Sequence, residues 1–202
     1  MHRRPLLALL AAAVLGGSAL ACSSGDGREL PPPRVAQTTT TPSAPVIQPS
    51  GGPTDVFMLT SASFSEGGEI PERFTCNGDD LSPALAWTGT PLDASSLALV
   101  VRDRNAGGFV HWVVTGIDPF VEGVGEGGLP ENAIAGRNGA GSVGWIGPCP
   151  PAGTGVHNYE FALLALLDPV DLPLDTPAEE AASMLEAAAV ERAVLTGTVT
   201  SS

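Results

Sequence analysis

The residues best suited to binding chemistry lie in the segment Gly147–Tyr159, GPCPPAGTGVHNY, which contains one histidine and one tyrosine. Its prolines fix the backbone angle φ, and its glycines permit conformations that other residues avoid. The chain then continues into the apolar run EFALLALL, which is typical of a buried strand. Because side chains alternate along a strand, His157, Tyr159 and Phe161 are predicted to share one face. A rigid loop would thus bring an imidazole and a phenol to one end of a sheet.

A second pair of polar residues, Asp103 and His111, is expected near one end of a strand–turn–strand unit. A β-rich run ends at Asp103, an Asn/Gly turn follows, and His111–Ile117 is predicted to return as the next strand. Imidazole and phenol groups offer the donors that phosphate oxygens accept. A protonated histidine would add charge, so anion binding is expected to be stronger near pH 6 than near pH 8. Asp103 would orient a histidine or accept a hydrogen bond from an ammonium or hydroxyl group of the ligand.

These segments resemble the phosphatidylethanolamine-binding protein family, in particular its bacterial Raf kinase inhibitor-like branch. The shared motifs are FTCNGDDLSPALAWTGTP, the H-W pair at His111, GPCPP, the H-x-Y at His157, AGRN and LTGT, which together cover about Phe57 to Val199. The resemblance implies an all-β fold with a minor C-terminal helix, a two-sheet β-sandwich of the phosphatidylethanolamine-binding type. The residues that would line a small ligand pocket at one end of this sandwich are Asp103, His111, Gly147, Pro148, Cys149, Pro150, His157 and Tyr159.

One motif departs from the family pattern. Where D-P-D-A-P is usual, residues 103–107 are DRNAG, so the second aspartate is an asparagine and both prolines are missing. We therefore expect a softer turn, with Arg102 and Arg104 reversing the sign of the charge at its rim. This departure affects the expected ligand preference and leaves the expected fold unchanged.

The elements that must position these residues are mostly strands. The pattern predicts one helix, with Thr176 as its N-cap, Pro177 in its first turn and good helix formers from Ala181 to Ala193. The 25 glycines, 19 prolines and low charged content of 15% also favour a loop-rich β protein over a helical bundle. The predicted strands are Val56–Ser61, Ala84–Trp87, Ser96–Val101, His111–Ile117, Asn158–Leu167 and Ala193–Thr200.

Composition argues against several classes of partner. The formal net charge is −13 and all nine cationic residues are arginines, so the chain lacks the basic surface of a nucleic-acid-binding protein. The possible metal ligands lack the compact spacing of zinc sites, and we predict no metal and no cofactor. The pair Asp79–Asp80 is interpreted as a solvated turn, and Arg137 is expected to pair with carboxylates.

The N-terminal part is predicted to target and tether the domain. Residues 1–21 combine a positive start, an apolar core and small residues before Cys22, the pattern of a secretory signal peptide. The segment Ser18–Cys22 is similar to a bacterial lipobox, which implies that Cys22 is acylated and anchors the protein outside the cytoplasm. Residues 22–53, rich in Pro, Thr and Ser, would form an extended tether. Residues 54–202 would form the folded domain.

Three classes of function are considered. The favoured one is noncatalytic binding of a small anionic ligand, such as a phospholipid head group or a phosphomonoester. The second is an inhibitor or interaction module for an unidentified extracytoplasmic protein. The third is a hydrolase with Cys149 as nucleophile and His157 as base. Cys76 and Cys149 could instead form a disulfide in an oxidising compartment, and the sequence leaves both states of Cys149 open.

Overall fold

The computed structural model describes residues 56–201. The predicted signal peptide (1–21), the predicted tether (22–53) and the predicted acylation of Cys22 lie outside the described residues. Within residues 56–201, no helix has the length and apolar character needed to cross a membrane.

The described chain is mostly β, with one α-helix near its C-terminus and one short 3-10 helix at Glu72–Phe74. Both the predicted fold class and the expected two-sheet arrangement are confirmed. The strands and the helix are β1 Met58–Ser61, β2 Gly68–Glu69, β3 Leu85–Thr88, β4 Ser96–Asp103, β5 Phe109–Ile117, β6 Gly123–Val124, β7 Ile134–Ala135, β8 Val156–Leu166, α1 Ala178–Ala188 and β9 Ala189–Thr200.

The strands form a six-stranded sheet in the order β2-β9-β8-β4-β5-β7 and a three-stranded sheet in the order β1-β3-β6. One apolar core lies between the two sheets and includes Trp87, Trp112 and Phe161. A second apolar cluster joins the other face of the large sheet to α1 through Leu164 and Leu185. Because both faces of the large sheet are covered, its central strand β4 is buried along its whole length.

The predicted helix needs two corrections, and the predicted strands that became β4, β5, β8 and β9 each extend two or more residues further at one end. The helix ends at Ala188, not Ala193, because the chain from Ala189 onward pairs with β8 as strand β9. Sheet pairing here overrides the helix propensity of an alanine-rich segment. The N-cap position is occupied by Pro177, without a side-chain hydrogen bond, so the expected Thr176 cap is wrong. The two-residue strands β2, β6 and β7 were not predicted, because so short a segment shows no periodicity.

The register of the large sheet brings the predicted polar residues to one end, which we call the site pole. Asp103, the last residue of β4, pairs with Phe109 of β5 and with Tyr159 of β8. His157 lies two residues before Tyr159 and shares its buried face. The pairing of three neighbouring strands therefore sets the positions of the side chains at this pole.

Candidate functional site

A cluster of four polar side chains is buried at the site pole. Asp103, His111, His157 and Tyr159 are each at most 5% exposed. The ring centroids of His111 and Tyr159 lie 5.2 Å apart, and those of His157 and Tyr159 lie 6.5 Å apart. The structure thus brings together the four polar residues that the sequence placed in a pocket.

Asp103 orients His157 and caps the turn that follows β4. Its Oδ2 lies 2.6 Å from Nδ1 of His157. Its Oδ1 accepts hydrogen bonds from the backbone N–H groups of Asn105 at 2.8 Å and Ala106 at 3.2 Å. The sequence suggests that this carboxylate either orients a histidine or binds a polar group of the ligand. The geometry matches the first of these roles.

Thr154 completes a chain of hydrogen bonds that the sequence analysis missed. Its Oγ1 lies 2.9 Å from Nε2 of His157 and 2.6 Å from the carbonyl oxygen of Pro151. Because a hydroxyl has a single proton, donation to Pro151 leaves Oγ1 to accept a hydrogen bond from His157. The available clue was a hydroxyl residue three positions before His157 in a glycine-flanked turn.

His111 is held in the cluster as a neutral ring. Its Nδ1 lies 2.7 Å from the carbonyl oxygen of Ile146, which requires a proton on that nitrogen. Burial lowers the pKa of His111 below 6.5, although this hydrogen bond and the charges of Asp103 and Asp80 act in the opposite direction. A neutral His111 adds no positive charge for an anion, so the expectation of a cationic pocket does not extend to this residue.

The buried state of His111 predicts a loss of stability in acid. Because its pKa is lower in the folded than in the unfolded state, the unfolded chain binds more protons between those two values, and stability increases with pH there. Acidification below 6.5, the ordinary value, should therefore reduce the free energy of unfolding. His111→Asn keeps a donor for Ile146 and cannot titrate, so this part of the pH dependence should disappear. Urea unfolding of both proteins across this pH range measures the free energy of unfolding. If that free energy changed with pH to the same extent in both proteins, the assignment of His111 would be contradicted.

Two buried donors in or next to the cluster have no hydrogen-bond partner among residues 56–201, namely the Tyr159 hydroxyl and the indole N–H of Trp145. Burial raises the pKa of Tyr159, and the negative charge and nearby carboxylate oxygens of Asp103 act in the same direction, so the hydroxyl keeps its proton. The approach of this hydroxyl to Asp103 does not reach good hydrogen-bond geometry. Trp145 stacks on Phe161 at 6.2 Å and lies 6.4 Å from the His111 ring. Leaving a buried donor without a partner is costly, and such donors are uncommon in proteins. The cluster therefore offers two donors that an acceptor could satisfy.

The loop that begins at Gly147 is tied to the segment after the 3-10 helix. Cys149 forms a disulfide with Cys76, with a Cα–Cα distance of 5.4 Å, and the Cys76 N–H donates to the Pro148 carbonyl. Asp80 accepts a hydrogen bond from the Gly147 N–H at 2.6 Å. Asp80 is exposed, as a solvated turn requires, but it also braces this loop. Within the disulfide, Cys149 has no thiol with which to act as a nucleophile.

Other contacts stabilise the turn at residues 103–107, where the chain departs from the family motif. Asn105 Oδ1 accepts a hydrogen bond from the Asn158 N–H at 2.8 Å, which ties the turn to β8 without the missing prolines. Arg102 is buried and pairs with Glu186 of α1 at 2.9 Å, while Arg104 lies 3.7 Å from Glu160. The expected reversal of rim charge is therefore wrong for Arg102, because its charge is matched within the fold.

The expected pairing of Arg137 with carboxylates is also wrong. Its guanidinium donates to the carbonyl oxygen of Gly141 at 2.6 Å and closes a loop. Asn138 holds the same loop, because its Oδ1 accepts from the backbone N–H groups of Ala140 and Ser142. This pair of residues has a local structural role.

A larger open groove lies at the opposite end of the sandwich. Its volume is about 800 Å³, and its walls include Trp87, Leu92, Phe120, Glu122 and Glu191. Among the described residues that line it, the two carboxylates are the only charged ones, so these residues offer no cation for an anionic ligand. The buried polar cluster, in contrast, presents hydrogen-bond donors. Among residues 56–201, no group of three or more His, Cys, Asp or Glu side chains is placed to hold a metal ion.

Comparison with known proteins supports the assignment of the fold. Residues 60–200 match the family model described as "Phosphatidylethanolamine-binding protein". The chain is 37% identical to the "Putative lipoprotein LppC" of Mycobacterium tuberculosis, over 98% of this chain and 96% of that protein. It is 39% identical to a UPF0098 protein of Methanothermobacter thermautotrophicus, over 69% of this chain and 95% of the relative. The crystal structure of E. coli YbcL, described as a new member of the mammalian PEBP family, has 30% identity and a TM-score of 0.67, covering 70% of this chain and 96% of YbcL.

Proposed function

Because this chain belongs to the phosphatidylethanolamine-binding protein family, we propose that its domain binds a small anionic ligand, such as a phospholipid head group or a phosphomonoester, without catalysis. The observation that carries this proposal is the buried Tyr159 hydroxyl beside the Asp103–His157 pair, which meets no acceptor in good hydrogen-bond geometry among residues 56–201. A ligand oxygen would accept a hydrogen bond from this hydroxyl. The Trp145 indole N–H would supply a second donor.

We propose that the ligand oxygen replaces the Thr154 hydroxyl as the acceptor on Nε2 of His157. In the closed state, Thr154 Oγ1 occupies that position at 2.9 Å. His157 is only 5% exposed, so the ligand reaches it when the turn around Thr154 moves aside. Gly153 and Gly155 flank Thr154 with φ values of 78° and 84°, backbone geometry that glycine adopts without strain. Asp103 holds the imidazole in place during the exchange.

We also propose that the domain acts outside the cytoplasm, anchored to the membrane through an acylated Cys22. The signal-like sequence before Cys22 supports this location, as does similarity over nearly the whole chain to a relative named a lipoprotein. A disulfide between Cys76 and Cys149 also fits an oxidising compartment.

Thr154 provides a test of the exchange. Thr154→Val keeps the shape of the side chain and removes the competing acceptor, so inorganic phosphate should bind about tenfold tighter, a gain of about 1.4 kcal/mol. Thr154→Ser keeps the hydroxyl and should bind like the wild type. Isothermal titration of all three proteins measures the difference.

The outcomes of this titration separate the two parts of the proposal. Weaker binding by Thr154→Val would mean that Thr154 contacts the ligand directly and does not compete with it. No binding of phosphate or phosphoethanolamine by any of the three proteins would contradict the proposed function itself.

A further inference from the structure

Three apolar side chains are exposed together at the end of the sandwich opposite the site pole. Val56, Leu92 and Phe120 border the same groove, and Leu92 and Phe120 are more than 90% exposed. We call these three residues the apolar pole. Leu97 pairs with Ile117 at this end of the large sheet, whereas Asp103 lies at the other end of β4. The eight residues of β4 span about 25 Å, so the apolar pole is well separated from the polar cluster.

Two short turns hold these side chains in the solvent. The Phe120 N–H donates to Asp118 Oδ1 at 2.9 Å, and the next carbonyl, of Val121, accepts from the Trp87 indole at 2.6 Å. Leu92 lies in a turn closed by a hydrogen bond from the Ala94 N–H to the Pro91 carbonyl at 3.1 Å. Because the turns are already ordered, insertion of these side chains into a partner loses little conformational entropy.

We propose that the apolar pole inserts into the interface of a lipid bilayer and directs the site pole away from the membrane. This inference rests on the proposed function in one respect, the anchor at Cys22. The 33 residues between Cys22 and Val56 can span up to about 115 Å, so an anchor alone would allow the domain any orientation. Val56 is part of the apolar pole, and it lies on the N-terminal side of the domain, from which the chain leads back toward Cys22.

The chemistry of the pole favours lipid over a second copy of the chain. An aromatic and a leucine side chain at loop tips suit the boundary between head groups and acyl chains. The anchor keeps the domain at a high effective concentration near the bilayer, so a weak insertion suffices. Glu122 and Glu191 line the same groove, and a symmetric dimer through it would bring like charges together. The same carboxylates predict a preference for neutral over anionic lipid.

The proposal is testable with the mature chain, residues 22–202, coupled to a bilayer through Cys22. The disulfide between Cys76 and Cys149 leaves Cys22 as the free thiol, which a maleimide lipid in phosphatidylcholine vesicles can capture. Phe120→Trp places a fluorescent probe in the pole. Insertion into the bilayer should shift its added emission to the blue, and lipids brominated in their acyl chains should quench that emission. The matched control is Val143→Trp, at an exposed residue of the loop that packs on Phe109 at the site pole.

The expected result is quenching at position 120, none at position 143, and loss of the quenching when Leu92→Asp is added. Phosphatidylglycerol in the vesicles should weaken the quenching. Equal quenching at both positions, or none at either, would overturn the proposal. Size-exclusion chromatography with light scattering provides a second test on the uncoupled protein. A dimer that Phe120→Asp disrupts would also overturn the proposal, because the apolar pole would then contact a second copy of the chain. Phosphate titration of the Phe120→Asp variant tests the proposed function separately, and its affinity should equal that of the wild type.

Discussion

Replacing both Cys76 and Cys149 with serine is expected to lower the free energy of unfolding by about 4 kcal/mol, the largest effect we expect from any change at the site pole. The disulfide joins residues 73 positions apart, so it removes a large amount of conformational freedom from the unfolded chain. For a domain of this size, the melting temperature should fall by roughly 10 °C. Thermal and urea unfolding followed by circular dichroism measure the change.

The same substitution should also weaken ligand binding. The disulfide, the Asp80 carboxylate and the Cys76 N–H are the ties that hold the loop at Gly147 and Pro148 against its neighbour. Reduction of the wild-type protein should reproduce the loss of stability, which provides a control free of serine effects. Equal stability of oxidised, reduced and doubly substituted proteins would show that the bridge does not brace the fold.

Asp103 is the second position at which we expect a large effect. Asp103→Ala removes the acceptor for His157 and the cap of two backbone N–H groups, and it should cost about 3 kcal/mol of stability. Asp103→Asn separates these roles, because its amide oxygen can still cap the turn while its NH₂ group cannot accept from His157. We expect Asp103→Asn to keep most of the stability and to bind phosphate at least tenfold more weakly, about 1.4 kcal/mol.

Urea unfolding and phosphate titration of both variants measure these two quantities. The matched control is Asn105→Ala, which removes a tie of the same turn to β8 without touching His157. Its stability should fall and its phosphate affinity should change less than that of Asp103→Asn. Wild-type affinity in Asp103→Asn would exclude an orienting role for this carboxylate.

The sequence predicts the long strands because their patterns are local, whereas the convergence of the polar residues was predicted mainly from the resemblance to the family. Alternation along β8 places His157, Tyr159 and Phe161 on one buried face, as predicted. The end of α1 could not be predicted, because residues 189–193 pair with a strand more than 20 positions earlier in the chain. Helix propensity is weak evidence against such a tertiary contact.

The details of the site depend on contacts between residues that are far apart in the sequence or that belong to no recognisable motif. Arg102 looked like a rim charge, and only the packing of α1 reveals that Glu186 neutralises it. The Asp80 brace of Gly147 joins residues 67 positions apart. Thr154 was not predicted as a site residue, because a hydroxyl in a loop has many ordinary roles. Its contact with His157 depends on the conformation of the turn.

The most direct test of the central claim is a phosphate titration followed by the three indole N–H signals in a ¹⁵N-resolved NMR spectrum. The Trp145 indole N–H is buried without a partner among residues 56–201, and its ring lies 6.4 Å from that of His111, whereas the Trp87 indole is bonded to Val121 beside the distant groove. Our account predicts a saturable shift of the Trp145 signal, absent in Asp103→Asn, with the Trp87 signal unmoved. A shift of Trp87 without Trp145, or no saturable shift of either, would contradict anion binding at the Asp103–His157–Tyr159 cluster.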